Sequence, residues 1–238
     1  MLSITIPTYN EAKNIEELLT RISKVLKPIN VPFEVLIVDD NSPDRTAQVA
    51  EALQSRFNVT VVKRPRKDGL ASAVMNGFSL AKGDILSVMD ADLSHPPEVM
   101  AEMYKAVSSG EADIVVGSRY TEGGASASCP WYRKLISSFA QLLARPITSV
   151  KDSGAGFFMF KRSVIEGVDL HPRGFKVLIE VLAKGNYSKT KEVPILFNDR
   201  AKGQSKLGMI EVLEYLQELC LIYYGMLTGK IKRKNKVA

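Results

Sequence analysis

Asp90-Ala91-Asp92 places two carboxylates one residue apart at the end of the apolar run Asp84-Ile85-Leu86-Ser87-Val88-Met89. Oxygen ligands of this kind suit a hard divalent cation. In open α/β sheets ligands gather beyond the carboxyl ends of the strands, so the pair predicts a metal held against a diphosphate. Taken alone, Asp-x-Asp fits a solvated strand-end turn or a helix cap equally well. Two other segments repeat the arrangement. Pro7-Thr8-Tyr9-Asn10-Glu11 ends the first apolar run and turns polar groups and backbone N–H donors towards the same crevice. Val38-Asp39-Asp40-Asn41-Ser42-Pro43-Asp44 ends the second, with carboxylates able to accept from ribose hydroxyls or base N–H groups. Gly69 stands at the entry of a helix, but neither a Gly-x-Gly-x-x-Gly fingerprint nor a Walker sequence accompanies it, which argues against dinucleotide oxidoreductases and NTPases.

The elements that must position these residues follow from periodicity. Leu2–Pro7, Phe33–Val38, Val59–Lys63, Asp84–Met89 and Asp113–Gly117 read as strands, and Glu11–Leu26, Arg45–Phe57, Leu70–Ala81 and Glu98–Val107 as helices. The alternation predicts an α/β fold of βαβ units with a mainly parallel, doubly wound sheet, its strands apolar enough for burial on both faces. Beyond Gly117 the pattern predicts a loop over Thr121–Ser128, a helix over Trp131–Ala144, and strands at Gly156–Lys161 and Lys189–Phe197. With no internal repeat or linker, residues 1–206 are expected to form one domain.

The remainder, 207–238, is expected to be an amphipathic helix over Leu207–Leu227 and a basic tail. Glu211, Glu214 and Glu218 would make a narrow acidic face. The uncharged run Leu219–Leu227 is too short to span a bilayer, and Lys230-Ile231-Lys232-Arg233-Lys234-Asn235-Lys236 follows it, a combination suited to an anionic membrane surface or to a docked core helix with a solvated tail.

The chain has 238 residues, 45% apolar and 24% charged, enough for one large core. A net charge of +6 suits a phosphate-rich ligand, an anionic membrane or nucleic acid. The basic residues are not interleaved with aromatics, which argues against nucleic acid. Two cysteines without Cys-x-x-Cys spacing argue against a disulfide framework or a zinc site, and the strand-like first residues predict no secretory signal and a cytosolic protein. His95 and His171 have no second nitrogen or sulfur ligand at suitable spacing, so both are expected to be packing or loop residues.

With Gly117-Ser118-Arg119-Tyr120 and Tyr132-Arg133-Lys134-Leu135-Ile136-Ser137 added to the three strand-end segments and to Leu93-Ser94-His95-Pro96-Pro97, the chain resembles the polyprenyl-phosphate (dolichol-phosphate) mannose synthases, inverting family 2 glycosyltransferases of GT-A fold. The resemblance runs from Leu2 to about Leu207. It implies a Rossmann-like GT-A domain that uses GDP-mannose with Mg²⁺ or Mn²⁺ and a polyprenyl or dolichyl phosphate acceptor. Pro7, Tyr9, Glu11, Val38 and Asp40 would contact the nucleoside. Asp90 and Asp92 would hold metal and diphosphate, with Ala91 lending backbone and Ser94 standing where some relatives carry a glutamine near the metal. Lys176, Arg200 and Ser205 would close over the donor phosphates, and Arg119, Arg133 and Ser137 would receive the lipid phosphate. Relatives commonly carry Asp-x-x-Ser-Gly-Phe. Here the segment is Asp152-Ser153-Gly154-Ala155-Gly156-Phe157, with alanine in the serine position, so that Ser153 would substitute for the hydroxyl.

A lipid monophosphate is largely ionised near neutral pH, so it needs no general base to attack the anomeric carbon, although Asp92 could tune it. Arg119 and Arg133 are expected to hold it bidentately. A peripheral enzyme at the cytosolic membrane face, with small membrane-anchoring subunits as possible partners, is the expectation. UDP-glucose as donor and a non-catalytic scaffold subunit are the competing readings.

Overall fold

A computed structural model describes residues 1–126, 131–172, 174, 176–197 and 209–231, with side chains left undescribed at 126, 131–137 and 209–212. The chain runs β1 (Leu2–Thr8), α1 (Ile15–Leu26), β2 (Phe33–Asp39), α2 (Thr46–Ala52), β3 (Val59–Lys63), α3 (Leu70–Leu80), β4 (Ile85–Val88), α4 (Met100–Ser108) and β5 (Ile114–Ser118). Then follow β6 (Ala125–Ser126), α5 (Trp131–Ala144), β7 (Phe158–Lys161), α6 (Val177–Lys184), β8 (Thr190–Pro194), β9 (Leu196–Phe197) and α7 (Met209–Leu227). Helix α1 starts four residues later than its apolar spacing suggests, because Glu11 to Asn14 form a turn closed by Asn14 N–H on the Glu11 carbonyl (2.9 Å). Helix α6 was not anticipated. Its Val-Leu-Ile-Glu-Val-Leu-Ala run is buried nearly all round and so lacks the polar face by which periodicity reveals a helix.

The main sheet has the order β3-β2-β1-β4-β7-β5-β8. The chain winds outwards from β1 to β3 on one side and returns to place β4 on the other side of β1. The C-terminal edge between β1 and β4 is therefore the point where strand order reverses, the place where such sheets leave a crevice. Six strands run parallel and β7 runs against its neighbours β4 and β5. That reversal matters for the site. A parallel strand delivers the loop that follows it to the crevice, whereas β7 delivers the loop before it, Asp152 to Phe157.

Two apolar layers cover the sheet. One joins Ile15, Leu18, Leu19 and Ile22 of α1 to Met100 and Met103 of α4 over Ile4, Ile6 and Ile37. The other packs Val74 and Phe78 of α3 and Leu178, Val181 and Leu182 of α6 on Val88, Val116, Phe158 and Phe160. Helix α3 presses on β1 through Gly77, where a Cβ would fall 2.2 Å from Thr5 Cγ2.

A third cluster seats α7 on α5 and α6 through Tyr215, Leu219 and Ile222 against Ala144, Ile147, Ile179 and Ala183. The helix is present, but its polarity differs from the expected amphipathic one. Glu218 is buried and Glu214 is half-buried beside Gly174, so two members of the supposed acidic face point inwards. Leu213, Leu221, Tyr224 and Leu227, at spacings of a single helix face, are exposed instead. No helix of the described residues is long and apolar enough to cross a membrane.

Candidate active site

The ends of β1 and β2 are stitched to each other. Asp39 accepts from Thr8 Oγ1 (3.0 Å), Ser42 N (2.9 Å) and Ser42 Oγ (2.6 Å). The backbone N–H groups of Asn10, Glu11 and Ala12 donate to Ser42 Oγ, Thr46 Oγ1 and Asp44 Oδ2 at 2.9–3.0 Å. This corrects one expectation: these N–H donors are bonded to Ser42, Asp44 and Thr46, between β2 and the start of α2, rather than turned to the crevice. Asn10 and Asn41 reach the left-handed conformation this needs, with φ of 63° and 56°, which asparagine tolerates well.

Pro7 and Val38 lie buried within β1 and β2, while Tyr9 and Glu11 are half-buried at the rim. Asp40, also buried, accepts from Arg64 Nη1 at 2.5 Å and from the backbone N–H groups of Asp68 and Gly69 at 3.2 and 3.0 Å. It thereby fixes the turn from Arg64 to Gly69, and Lys67 Nζ sits 3.9 Å from the centre of the Tyr9 ring. Tyr9, Asp40 and this turn make one wall of the crevice. Sequence reasoning missed Arg64 and Lys67, which carry no motif of their own.

At the end of β4, Ala91 and Asp92 are buried and Asp90 is half-buried. Leu93 takes φ of 62°, folding Ser94 back so that its N–H and Oγ donate to Asp92 Oδ1 at 3.1 and 2.5 Å. Ser94 thus orients Asp92. Gly156 faces Asp90 so closely that a Cβ there would lie 2.8 Å from Oδ2. His95 is buried between Phe157 and Phe197, with ring centroids 5.6 and 5.1 Å away, and its Nδ1 lies 3.7 Å from Asp90 Oδ2. Burial pushes its pKa down to about 4 against the opposing pull of Asp92, so the imidazole is neutral at pH 7.

Arg119, one residue past β5, donates from its N–H (3.1 Å), Nε (2.8 Å) and Nη2 (2.8 Å) to Asp152, which is 1% exposed. This commits the Nε–Nη2 edge of the guanidinium to Asp152. Glu192 of β8 holds the Asp152 backbone N–H (3.1 Å). Lys176, at the start of α6, reaches over the same loop towards the Gly154 carbonyl (3.4 Å), and burial together with Arg119 lowers its pKa to about 8. Arg133 and Ser137 lie on α5, but their side chains are outside the described residues, as are Arg200 and Ser205 altogether. The structure therefore brings Tyr9, Asp40, Asp90, Asp92, Ser94, Arg119 and Lys176 to one edge of the sheet.

Residues 3–168 match the model of the family described as "Glycosyl transferase family 2". The chain belongs to glycosyl transferase family 2. It is 48% identical over 92% of its length to a dolichol-phosphate mannosyltransferase of Pyrococcus furiosus, of which it spans 62%. It is 37% identical over 93% of its length to the dolichol-phosphate mannosyltransferase of Saccharomyces cerevisiae, spanning 86% of that protein. Among solved structures, a mannosyltransferase from Pyrobaculum calidifontis in complex with GDP-Man and Mn²⁺ superposes with a TM-score of 0.64 at 20% identity, covering 95% of this chain and 64% of that one, a likeness of fold.

The donor set of this family 2 glycosyltransferase fits a divalent cation. Asp90 and Asp92 supply hard oxygen, and glycine at 156 leaves beside Asp90 the space a Cβ would fill. Among the described residues no group of three histidine, cysteine, aspartate or glutamate side chains forms a closed cage. An ion held by two carboxylates and completed by phosphate and water is the usual arrangement for Mg²⁺, and an open one suits an ion that has to share its ligands with a diphosphate.

Proposed function

We propose that this chain transfers mannose from GDP-mannose to a polyprenyl or dolichyl phosphate with inversion, giving a β-linked lipid phosphate mannose. The observation that carries the reading is the convergence of Asp90 and Asp92 with Arg119 and Lys176 at the strand-order reversal, an acidic metal seat beside a basic wall. The two relatives called dolichol-phosphate mannosyltransferase and the fold neighbour holding GDP-Man and Mn²⁺ support this choice of donor and acceptor.

Asp90 and Asp92 would hold Mg²⁺ or Mn²⁺, which as a Lewis acid supplies stabilisation of the departing diphosphate. Tyr9 and Asp40 orient the nucleoside, with Pro7, Glu11 and Val38 supporting the same wall. The acceptor phosphate is an anion and loses no proton on attack, so the site has to place it rather than activate it. Arg119 contributes a positive charge fixed by Asp152, and Lys176 a second one. Arg133 with Ser137, and Arg200 with Ser205, complete the set on the acceptor and donor sides.

The exposed apolar side chains support a peripheral position at the cytosolic membrane face. Phe139 and Leu142 of α5 and Leu213, Leu221, Tyr224 and Leu227 of α7 are exposed on two packed helices, and in the sequence α7 is followed by residues rich in lysine and arginine. The same face offers a surface to a small membrane-anchoring subunit.

The test is transfer of radiolabelled sugar from GDP-mannose or UDP-glucose to a short polyprenyl phosphate with Mn²⁺. A β-mannosyl lipid product lost on Asp92→Ala supports the reading. Product from UDP-glucose alone would reassign the donor, and product from neither, with membranes added, would favour a scaffold role.

A further inference from the structure

Lys176 is not held by its own loop alone. Its ammonium lies 5.1 Å from the centre of the Tyr215 ring, and Tyr215 belongs to α7, a helix that begins more than thirty residues later in the chain. The Tyr215 hydroxyl donates to the Ala140 carbonyl of α5 (3.2 Å). Burial holds this hydroxyl up at about 12, so it stays protonated and keeps that partner. The ring is 5% exposed and packs with Ala144, Ile179 and Ala183. One side chain therefore ties α7 to α5 and to the lysine on the crevice wall. Gly154 leaves room for this: a Cβ there would fall 2.2 Å from Lys176 Nζ. An ammonium in half-buried surroundings gains from an aromatic face at such a distance, which limits where it can swing.

We infer that Tyr215 is a positioning residue: its ring, delivered by the C-terminal helix, sets the Lys176 ammonium for a phosphate group in the crevice, so seating of α7 and anion binding are coupled. This rests on the proposed function only in taking the crevice ligand to be a phosphate. That phosphate belongs either to the donor diphosphate or to the lipid acceptor.

The full chain is titrated calorimetrically with Mn²⁺–GDP and, separately, with citronellyl phosphate, a water-soluble isoprenyl phosphate. Tyr215→Leu, which keeps bulk but removes the aromatic face, is expected to weaken one of the two by about tenfold, within the range of a desolvated cation–π contact. The probe that weakens identifies the phosphate concerned. Tyr215→Phe, which keeps the ring and loses the hydroxyl, is expected to bind both like the wild type. In a Lys176→Met background, Tyr215→Leu should weaken binding no further. That result separates positioning from a general loosening, which thermal melts of each variant also monitor. Unchanged binding of both probes by Tyr215→Leu, a Tyr215→Phe variant as weak as the leucine one, an undiminished effect without Lys176, or a wild-type chain that takes up neither probe would each overturn the inference. Failure of mannose transfer alongside the expected binding pattern would refute the donor and acceptor assignment and leave the positioning role standing.

Discussion

Asp152→Asn removes one negative charge from a site where the side chain is 1% exposed and accepts three hydrogen bonds from Arg119. Asparagine keeps the shape and one acceptor oxygen, but its NH₂ group faces an N–H of the guanidinium, so the bidentate pair is lost and the arginine charge stays behind. Removing one partner of a buried pair costs about 3–5 kcal/mol. The Arg119 side chain is 23% exposed, so water recovers part of the loss and the low end, about 3 kcal/mol, applies. A chain of this length loses roughly 2–4 °C of melting temperature per kcal/mol, which predicts a fall of about 6–12 °C. The informative assay is a double-mutant cycle by urea denaturation with Arg119→Met. Once the arginine is gone, Asp152→Asn should cost about 2 kcal/mol less than it does in the wild type. A coupling below about 0.5 kcal/mol would refute the reasoning, because it would mean that the charge pair contributes nothing beyond independent side chains.

Three further outcomes follow from single distances and one ionisation. Gly156→Ala would bring a Cβ to 2.8 Å from Asp90 Oδ2 and 3.3 Å from His95 Cε1, so Mn²⁺–GDP affinity is expected to fall by about tenfold or more while the melting temperature barely moves; wild-type affinity would show that this face of Asp90 is not the metal side. Lys176, with its pKa lowered to about 8 by burial and by Arg119 against the opposing pull of Asp152, is cationic at pH 7 and neutral at pH 9, so GDP affinity should fall across that interval and Lys176→Arg should flatten the profile. The sign for stability is opposite: between about 8 and 10.5 the unfolded chain holds the proton that the folded chain has lost, so this group makes stability rise with pH there. Gly77→Ala is expected to cost about 1–3 kcal/mol by urea denaturation through its 2.2 Å approach to Thr5 Cγ2, with partial recovery on adding Thr5→Ala.

What could be read along the chain was whatever lies in a local pattern. The strand-end carboxylates were legible because each closes an apolar run, and parallel strands carry such ends to one edge. Arg64, Asp152, Glu192 and Tyr215 were not placed by that logic, since each acts through a partner 24 to 75 residues away. Asp152 also depends on the direction of β7, which periodicity cannot give: the same four residues read identically as a parallel or an antiparallel strand. The helix at 177–184 was hidden by its own burial, and the inward turn of Glu214 and Glu218 on α7 depends on neighbours that helical spacing does not show. Those glutamates face a wall that contains Gly174, close enough to Glu214 that a Cβ would come within 2.5 Å of its carboxylate.

The Arg119–Asp152 pair changes how the charges of the crevice must be shared. Asp90 and Asp92 would together offset a divalent cation, and Asp152 offsets Arg119, while Lys176 reaches towards the Gly154 carbonyl and the face of the Tyr215 ring. Helix α7 carries Tyr215 to Lys176. Its outer face is apolar and its inner face reaches the crevice, so whatever covers the one bears on the charge held at the other.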